Sequence, residues 1–266
     1  MIDDQERPIW VKAGNLTPTE FTYNSRGLLA NLKQGNRNLV FNYNSLGQLQ
    51  SVTNPEEQTT TFTWDNSNRL LQEKRPDNKV INYEYDENSN LSGLQPPDKL
   101  MHVLGSNLID LFAVYTPPPT ATASGSTNYI YNLGRQLTKE VRPDGTSITY
   151  SYDPEKAQLM RAEGPSKSID YIYGSGSRTI PARVISSDGI DLSISVGSDV
   201  QLDRFYINGV IGRIRIIPTL RGQLGTLVVN EEVMVPYTYN NEKLLMQAGD
   251  LIINRDASTG LILSLF

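Results

Sequence analysis

A nine-residue pattern returns about every 21 residues along this chain, and a fixed period of that length constrains the fold more than any single segment does. FTYNSRGLL (21–29), FNYNSLGQL (41–49), FTWDNSNRL (62–70) and YEYDENSNL (83–91) share aromatic-x-aromatic-Asn/Asp, a polar turn and a leucine, with starts 20, 21 and 21 residues apart. The pattern recurs in YIYNLGRQL (129–137), YSYDPEKAQL (150–159), YIYGSGSR (171–178) and YTYNNEKLL (237–245). The paired rings are Phe21 and Tyr23, Phe41 and Tyr43, Phe62 and Trp64, Tyr83 and Tyr85, Tyr129 and Tyr131, Tyr150 and Tyr152, Tyr171 and Tyr173, and Tyr237 and Tyr239. The gaps between copies are close to two and three periods. Leu104 falls 21 residues after Tyr83, with Ser106 in the second ring's place, and RFYINGVIG (204–212) reads as a weak copy.

Residues i and i+2 of a strand share a face, so each repeat offers a pair of rings to its neighbours. Asn or Asp then opens a turn, and glycines such as Gly27, Gly47 and Gly134 suit positive φ there. The second strand ends in a proline turn, as in RPDN (75–78) and RPDG (142–145), whose residue order suits a type I turn. One hairpin cannot bury such a face alone, whereas stacked copies bury a continuous one. The fold expected is therefore all-β: tandem β-hairpin repeats in a curved or spiral sheet. About eleven hairpins at roughly 4.8 Å per strand give a width of about 105 Å, or a diameter of about 33 Å if curled into one turn.

Residues 1–20 read as a lead-in and 21–266 as the repeat domain. TPPPTATASGST (116–127) reads as an exposed loop within it, because three consecutive prolines cannot join a ladder. LMHVLGSNLIDLF (100–112) has apolar spacing that also fits a short helix, but the repeat phase favours strand or coil. The apolar ILSLF (262–266) would make a poor uncovered edge.

Lys and Arg number 24 against 29 Asp and Glu, so no overall positive field favours nucleic acid or an anionic membrane. The chain has no cysteine, which excludes disulfides and thiolate chemistry without fixing a compartment. The opening MIDDQERPIW is acidic where a signal peptide would be basic and then apolar, and no stretch is apolar enough to insert in a membrane.

Catalytic and metal signatures fail on spacing. Asp86, Asn88 and Asn90 imitate the start of a calcium loop, but Leu91 and Pro97 stand where Gly and Glu are needed. His102 is the single histidine, so it supports neither a triad nor a metal cluster. The Ser and Gly of GSGS (174–177) relax a turn rather than form a nucleophile elbow. The pairs Asp3/Asp4, Glu56/Glu57 and Glu231/Glu232 read as solvated edge charges, since neighbours on a strand point to opposite faces. Arg204, Arg213, Arg215 and Arg221 read as a half-buried strand with its flank, and Trp64 as core before a sugar platform. NLT (15–17) and NLS (90–92) matter as sequons only in a eukaryotic secretory host. No cofactor is expected.

The ordered series HVLGSNLIDLFAVYTPP (102–118), YIYNLGRQLTKEVRPDGTSITYSYD (129–153) and YTYNNEKLLMQAGDLIINRDASTGLI (237–262) resembles the Rhs and YD-repeat superfamily, which includes insecticidal toxin-complex shells and the teneurins. The resemblance covers roughly residues 21–264 and implies part of a hollow β-shell, in a secreted or cell-surface protein. The DPxG-rich, self-cleaving segment of Rhs shells has no counterpart here. A non-enzymatic shell segment that encloses or scaffolds a toxin or partner is the leading expectation. Its partners would be further YD repeats, another copy of the chain, or an enclosed or docked protein. The alternative is a recognition module that binds glycan or protein through the sheet or the 116–127 loop. Polysaccharide hydrolysis ranks third, because it needs two carboxyl groups about 5–9.5 Å apart in a groove.

Overall fold

A computed structural model of the chain describes residues 1–120, 124–174, 179–196, 202–208, 212–229 and 233–266. Among the described residues there are strands and turns but no helix, and so no helix able to cross a membrane. The fold is all-β and antiparallel. Residues 121–123, 175–178 and 209–211, and the pair Glu231/Glu232, lie outside the described residues.

The chain divides into two compact units, Met1–Ser126 with Arg255–Ile262, and Thr127–Asn254 with Leu263–Phe266. In the first unit each strand pairs with the next in sequence. The series runs from Trp10–Val11, Thr19–Tyr23, Leu29–Gln34, Arg37–Tyr43 and Leu49–Thr53 through Thr59–Trp64, Leu70–Lys74 and Val80–Tyr85 to Leu91–Gln95, His102–Ser106 and Phe112–Thr116. Residues 100–112, open to a helical reading by spacing, thus form a strand, a turn and the start of a second strand. The second unit repeats the scheme from Thr127–Tyr131 to Leu251–Arg255. Connections between adjacent strands are mostly short turns, as sequence-neighbour pairing requires.

Seven of the eight ring-bearing hairpins carry a β-bulge at the second ring. Tyr23 lies opposite Leu29, Tyr43 opposite Leu49, Trp64 opposite Leu70 and Tyr85 opposite Leu91, each with a register shift just before the ring. Tyr131, Tyr152 and Tyr239 lie likewise opposite Leu137, Leu159 and Leu245. The extra residue bends the strand and feeds the chain into the turn. Three further hairpins have the same bulge without the ring: Ser106 opposite Phe112, Val196 opposite Leu202, and Pro218 opposite Leu224. The copy at 104–106 therefore sits where the 21-residue step puts it. RFYINGVIG does not. Leu202–Asn208 is an unbulged strand paired between the bulged strands Asp191–Val196 and Gly212–Pro218.

Residues 1–20 hold the same type of turn. Asp3 NH donates to the Arg7 carbonyl, Glu6 NH to the Asp3 carbonyl, and Glu6 takes a φ of 61°. Of the 116–127 segment, Thr116 and Thr127 belong to strands, and Pro119, Thr120, Ser124 and Gly125 are exposed. A hydroxyl bond of 2.6 Å between Thr116 and Ser126 closes its neck.

Fully buried side chains are few. Among the described residues, Val228 and Ile253 are the buried hydrophobics and Ser168 the buried polar residue. The accessible surface is 17442 Å², roughly half as much again as the ~11,600 Å² expected of a compact chain of this mass. The rings expected as core are half-buried instead, because among the described residues of each unit the strands pack only against their sequence neighbours in the sheet. At the C-terminus, Ile252 and Phe266 exchange backbone hydrogen bonds, while the Leu263, Leu265 and Phe266 side chains stay exposed.

Candidate functional site

The face to consider is the one that carries the rings. Thr19–Tyr23 alternates half-buried and exposed, with Phe21 and Tyr23 on the half-buried face and Thr22 on the other. Phe62 and Trp64 in Thr59–Trp64, and Tyr129 and Tyr131 in Thr127–Tyr131, follow the same alternation. Phe41 and Tyr43, Tyr83 and Tyr85, Tyr150 and Tyr152, and Tyr237 and Tyr239 are also half-buried, each with an exposed residue between. The first ring of each pair faces small or apolar partners in several repeats: Phe21 lies opposite Leu32, Phe41 opposite Val52, Tyr83 opposite Leu94 and Tyr150 opposite Ala162. Tyr171 pairs with Val184, but Tyr173 falls after the last paired residue, Ile172, and has no bulge.

The second ring also makes a polar contact with the preceding repeat. Tyr43 OH donates to the Leu29 carbonyl at 2.9 Å, Trp64 Nε1 to Leu49 at 2.7 Å, Tyr85 OH to Leu70 at 3.0 Å and Tyr152 OH to Leu137 at 2.8 Å. Tyr23 OH donates to the Pro8 carbonyl at 2.9 Å in the same way. The reason lies in the register. Leu29 is two residues outside the last pair with the next strand, Asn31 with Val40, so the ladder on that side does not reach its carbonyl. The ring's polar tip supplies the donor that an uncovered carbonyl requires. A residue chosen for its apolar face thus fastens one repeat to the one before it.

The turn after the ring is organised by one side-chain oxygen. Asn44 Oδ1 accepts from the Leu46 and Gln48 amides at 3.0 Å each, and Asp65 Oδ1 from Ser67 and Arg69 at 2.9 Å each. Asn24, Asp86 and Asn107 repeat this arrangement, and Asp3 brings it into the first twenty residues. Thr219 Oγ1 does the same at 3.3 and 3.1 Å to Arg221 and Gln223, in a hairpin that the ring pattern does not mark. The sequence signal for it was the spacing alone: Thr219 to Leu224 matches Asn44 to Leu49.

The residue four places after the one that opens the turn reaches forward to the next turn. Gln48 Nε2 donates to Asn68 Oδ1, Arg69 to the Asp86 carbonyl, Asn90 Nδ2 to Asp110, Gln136 Nε2 to the Ala157 carbonyl and Gln223 Nε2 to the Lys243 carbonyl. Where that residue is arginine, its guanidinium also lies over the next repeat's ring, Arg7 at 4.3 Å from Tyr23 and Arg69 at 4.9 Å from Tyr85.

The electrostatics follow these contacts. The backbone hydrogen bond from Arg69 is the largest influence that holds the Asp65 carboxyl below its ordinary value, and the Asn90 side chain does the same for Asp86. The Asp256 carboxyl falls to about 2, chiefly through Ser258 and Thr259. Burial raises the Tyr83, Tyr150 and Tyr152 phenols. The calcium-loop look-alike is spent on its own turn: Asp86 accepts from Asn88 and Asn90, and both amide side chains donate to Asp110 at 2.9 Å. No cluster of three or more metal-ligating side chains occurs among the described residues. His102 Nδ1 and Tyr115 OH lie 2.7 Å apart, a contact within the sheet. Open grooves lie between successive proline turns, one of about 750 Å³ between 57–59 and 75–77 and one of about 370 Å³ between 145–149 and 163–165.

Bulged two-strand repeats, each hung on its predecessor by a ring, define the class of YD-repeat β-sheets. The teneurin YD-shell family profile matches residues 1–202, more than half of the sequence, and the chain belongs to that family. It is 23% identical to Teneurin-3 of Danio rerio over 210 residues, covering 76% of this chain and 8% of that protein. Among solved structures it resembles TcdB2-TccC3-TEV, with a TM-score of 0.64 at 11% identity over 97% of this chain and 16% of the other. TcdB2-TccC3-Cdc42 follows at 0.59 and 12% identity, over 94% and 15%. The chain thus spans a small part of each relative. What these likenesses define is a structural element, a stretch of YD-repeat shell.

Proposed function

We propose that this chain is a non-enzymatic segment of a β-shell, whose ring-bearing face encloses or scaffolds a partner protein, with further YD repeats continuing the sheet. The coupling of repeats carries the reading: five rings spend their one polar atom on the preceding repeat and leave half-buried apolar faces available. A sheet built in this way is stiff from repeat to repeat and apolar on one face, which suits a wall more than a catalyst. The resemblance to Rhs shells and teneurins suggests a secreted or cell-surface setting. Trypsin digestion of the full gene product tests the reading. A non-repeat segment should survive while the repeats are intact and be cut once destabilising ring substitutions open them. Equal cutting rates in both states would refute enclosure.

Recognition by the 116–127 loop is a second reading, favoured by the exposed Pro119, Thr120, Ser124 and Gly125 above a closed neck. Deleting 118–125 should abolish partner or glycan capture if the loop recognises, and leave capture unchanged if the sheet does.

A further inference from the structure

The contacts described so far join residues within about one repeat of each other, as a sheet of sequential hairpins must. Among the described residues, one backbone hydrogen bond does not. Thr17 NH donates a hydrogen bond to the Ser258 carbonyl, from near one end of the sequence to near the other. The turn 255–262 accordingly belongs to the same compact unit as Met1–Ser126.

Both partners are prepared for this bond. On one side, the Thr17 carbonyl is held by Gln34 Nε2 at 3.1 Å and the preceding turn is closed by Leu16 NH on the Ala13 carbonyl at 3.1 Å, which fixes the amide's direction. Paired residues of this strand begin at Thr19, so the Thr17 amide has no place in the ladder. On the other side, Asp256 Oδ1 accepts from the Ser258 amide and hydroxyl and from the Thr259 amide and hydroxyl, at 2.7–3.0 Å. Arg255 Nη1 donates to the Gly260 carbonyl at 2.9 Å, and Gly260 NH returns to the Asp256 carbonyl at 2.9 Å. A second, independent observation points the same way. Of the glycines at positive φ among the described residues, Gly260, with a φ of 73°, is the one that is buried, whereas Ala157, at the same place in the Asp153–Gln158 turn, is exposed.

We propose that the turn Asp256–Leu261 is a clasp: it docks its Ser258 carbonyl on the Thr17 amide and fastens this turn to the N-terminal segment independently of the repeat-to-repeat bonds. Asp256 is a positioning residue, since it touches the turn and not Thr17. The clasp is a release point, because opening it breaks no strand pair of the sheet. This inference stands whether or not the sheet encloses a partner.

The chain has no native cysteine, so a cysteine pair is a clean probe. A backbone hydrogen bond brings two Cα atoms within the reach of a disulfide. In the full chain, T17C/S258C should form an intramolecular disulfide in air, seen as faster migration without reductant, while the control pair T17C/S67C, several paired strands apart in the same unit, should not. In the wild type, hydrogen exchange should protect the Thr17 amide at least tenfold relative to an unstructured peptide. D256A should remove that protection and leave the amides of Asn31, Lys33, Ser51 and Thr53 unchanged. A reducible monomer that never cross-links, or a Thr17 amide that exchanges at the unstructured rate in the wild type, would overturn the clasp. If D256A altered all of these amides alike, Asp256 would be a general stabiliser and the release point would be wrong.

Discussion

The hairpin around Asp65 and the hairpin around Thr219 reach the same backbone from different residues. Trp64 opposite Leu70 and Pro218 opposite Leu224 are the same bulge, and each is followed by a side-chain oxygen that receives two turn amides. Yet Trp64 donates to the preceding repeat and Pro218 has no donor to give. Asp65 holds its amides at 2.9 Å, whereas Thr219 holds them at 3.1 and 3.3 Å. The comparison separates two tasks. Bulge, turn oxygen and leucine make the hairpin, while the ring joins it to its predecessor.

Substitutions can break that separation. Trp64→Ala removes a half-buried ring and a hydrogen bond, so it should cost about 2–4 kcal/mol, toward the lower end of aromatic truncations because the ring is only partly covered. Pro218→Ala should cost under about 1 kcal/mol by urea denaturation, and equal losses at the two sites would erase the distinction. Tyr85→Phe keeps the ring and removes only the donor to the Leu70 carbonyl, for an expected loss of about 0.5–1.5 kcal/mol. Thr219→Val keeps the volume and removes a weaker acceptor, so about 0.5 kcal/mol is expected at the same midpoint.

Acid sharpens the comparison further with a smaller effect. The Asp65, Asp86 and Asp256 carboxyls lie below their ordinary value in the folded chain, so the unfolded state binds more protons as pH falls. Their contribution is complete above about pH 4 and is lost as pH falls through the folded values, near 2 for Asp256. Amide shifts followed by NMR from pH 6 to 2 should move at Ser67 and Arg69. Those of Arg221 and Gln223, on a neutral hydroxyl, should stay in place.

Much of this was legible from the repeat. Aromatic-x-aromatic-Asx marks the bulged strand because it encodes a face, a donor and a turn in four residues, and the step of 21 carried the reading through Ser106 where the rings are gone. It failed between 178 and 236. There Tyr206 draws the pattern onto an unbulged strand, while Val196 and Pro218, which occupy the bulges, share no side-chain chemistry with tyrosine. The Asp3 turn, read from sequence only as an edge charge, is not legible because no ring pair precedes it. The half-burial of the ladder was not legible either, since a sequence shows which face is apolar but not whether anything lies opposite. Nor was the bond from Thr17 to Ser258, because no period links the ends of a chain.

The central claim is that the second ring's polar tip, and not the apolar face alone, couples successive repeats. The most direct test is urea denaturation, followed by far-ultraviolet circular dichroism, of a variant with Tyr23, Tyr43, Trp64, Tyr85 and Tyr152 all changed to phenylalanine. The account predicts an unchanged strand signal in buffer, a lower midpoint, and a transition with a smaller slope, because repeats without these bonds unfold less cooperatively. A midpoint and slope equal to those of the wild type would contradict it.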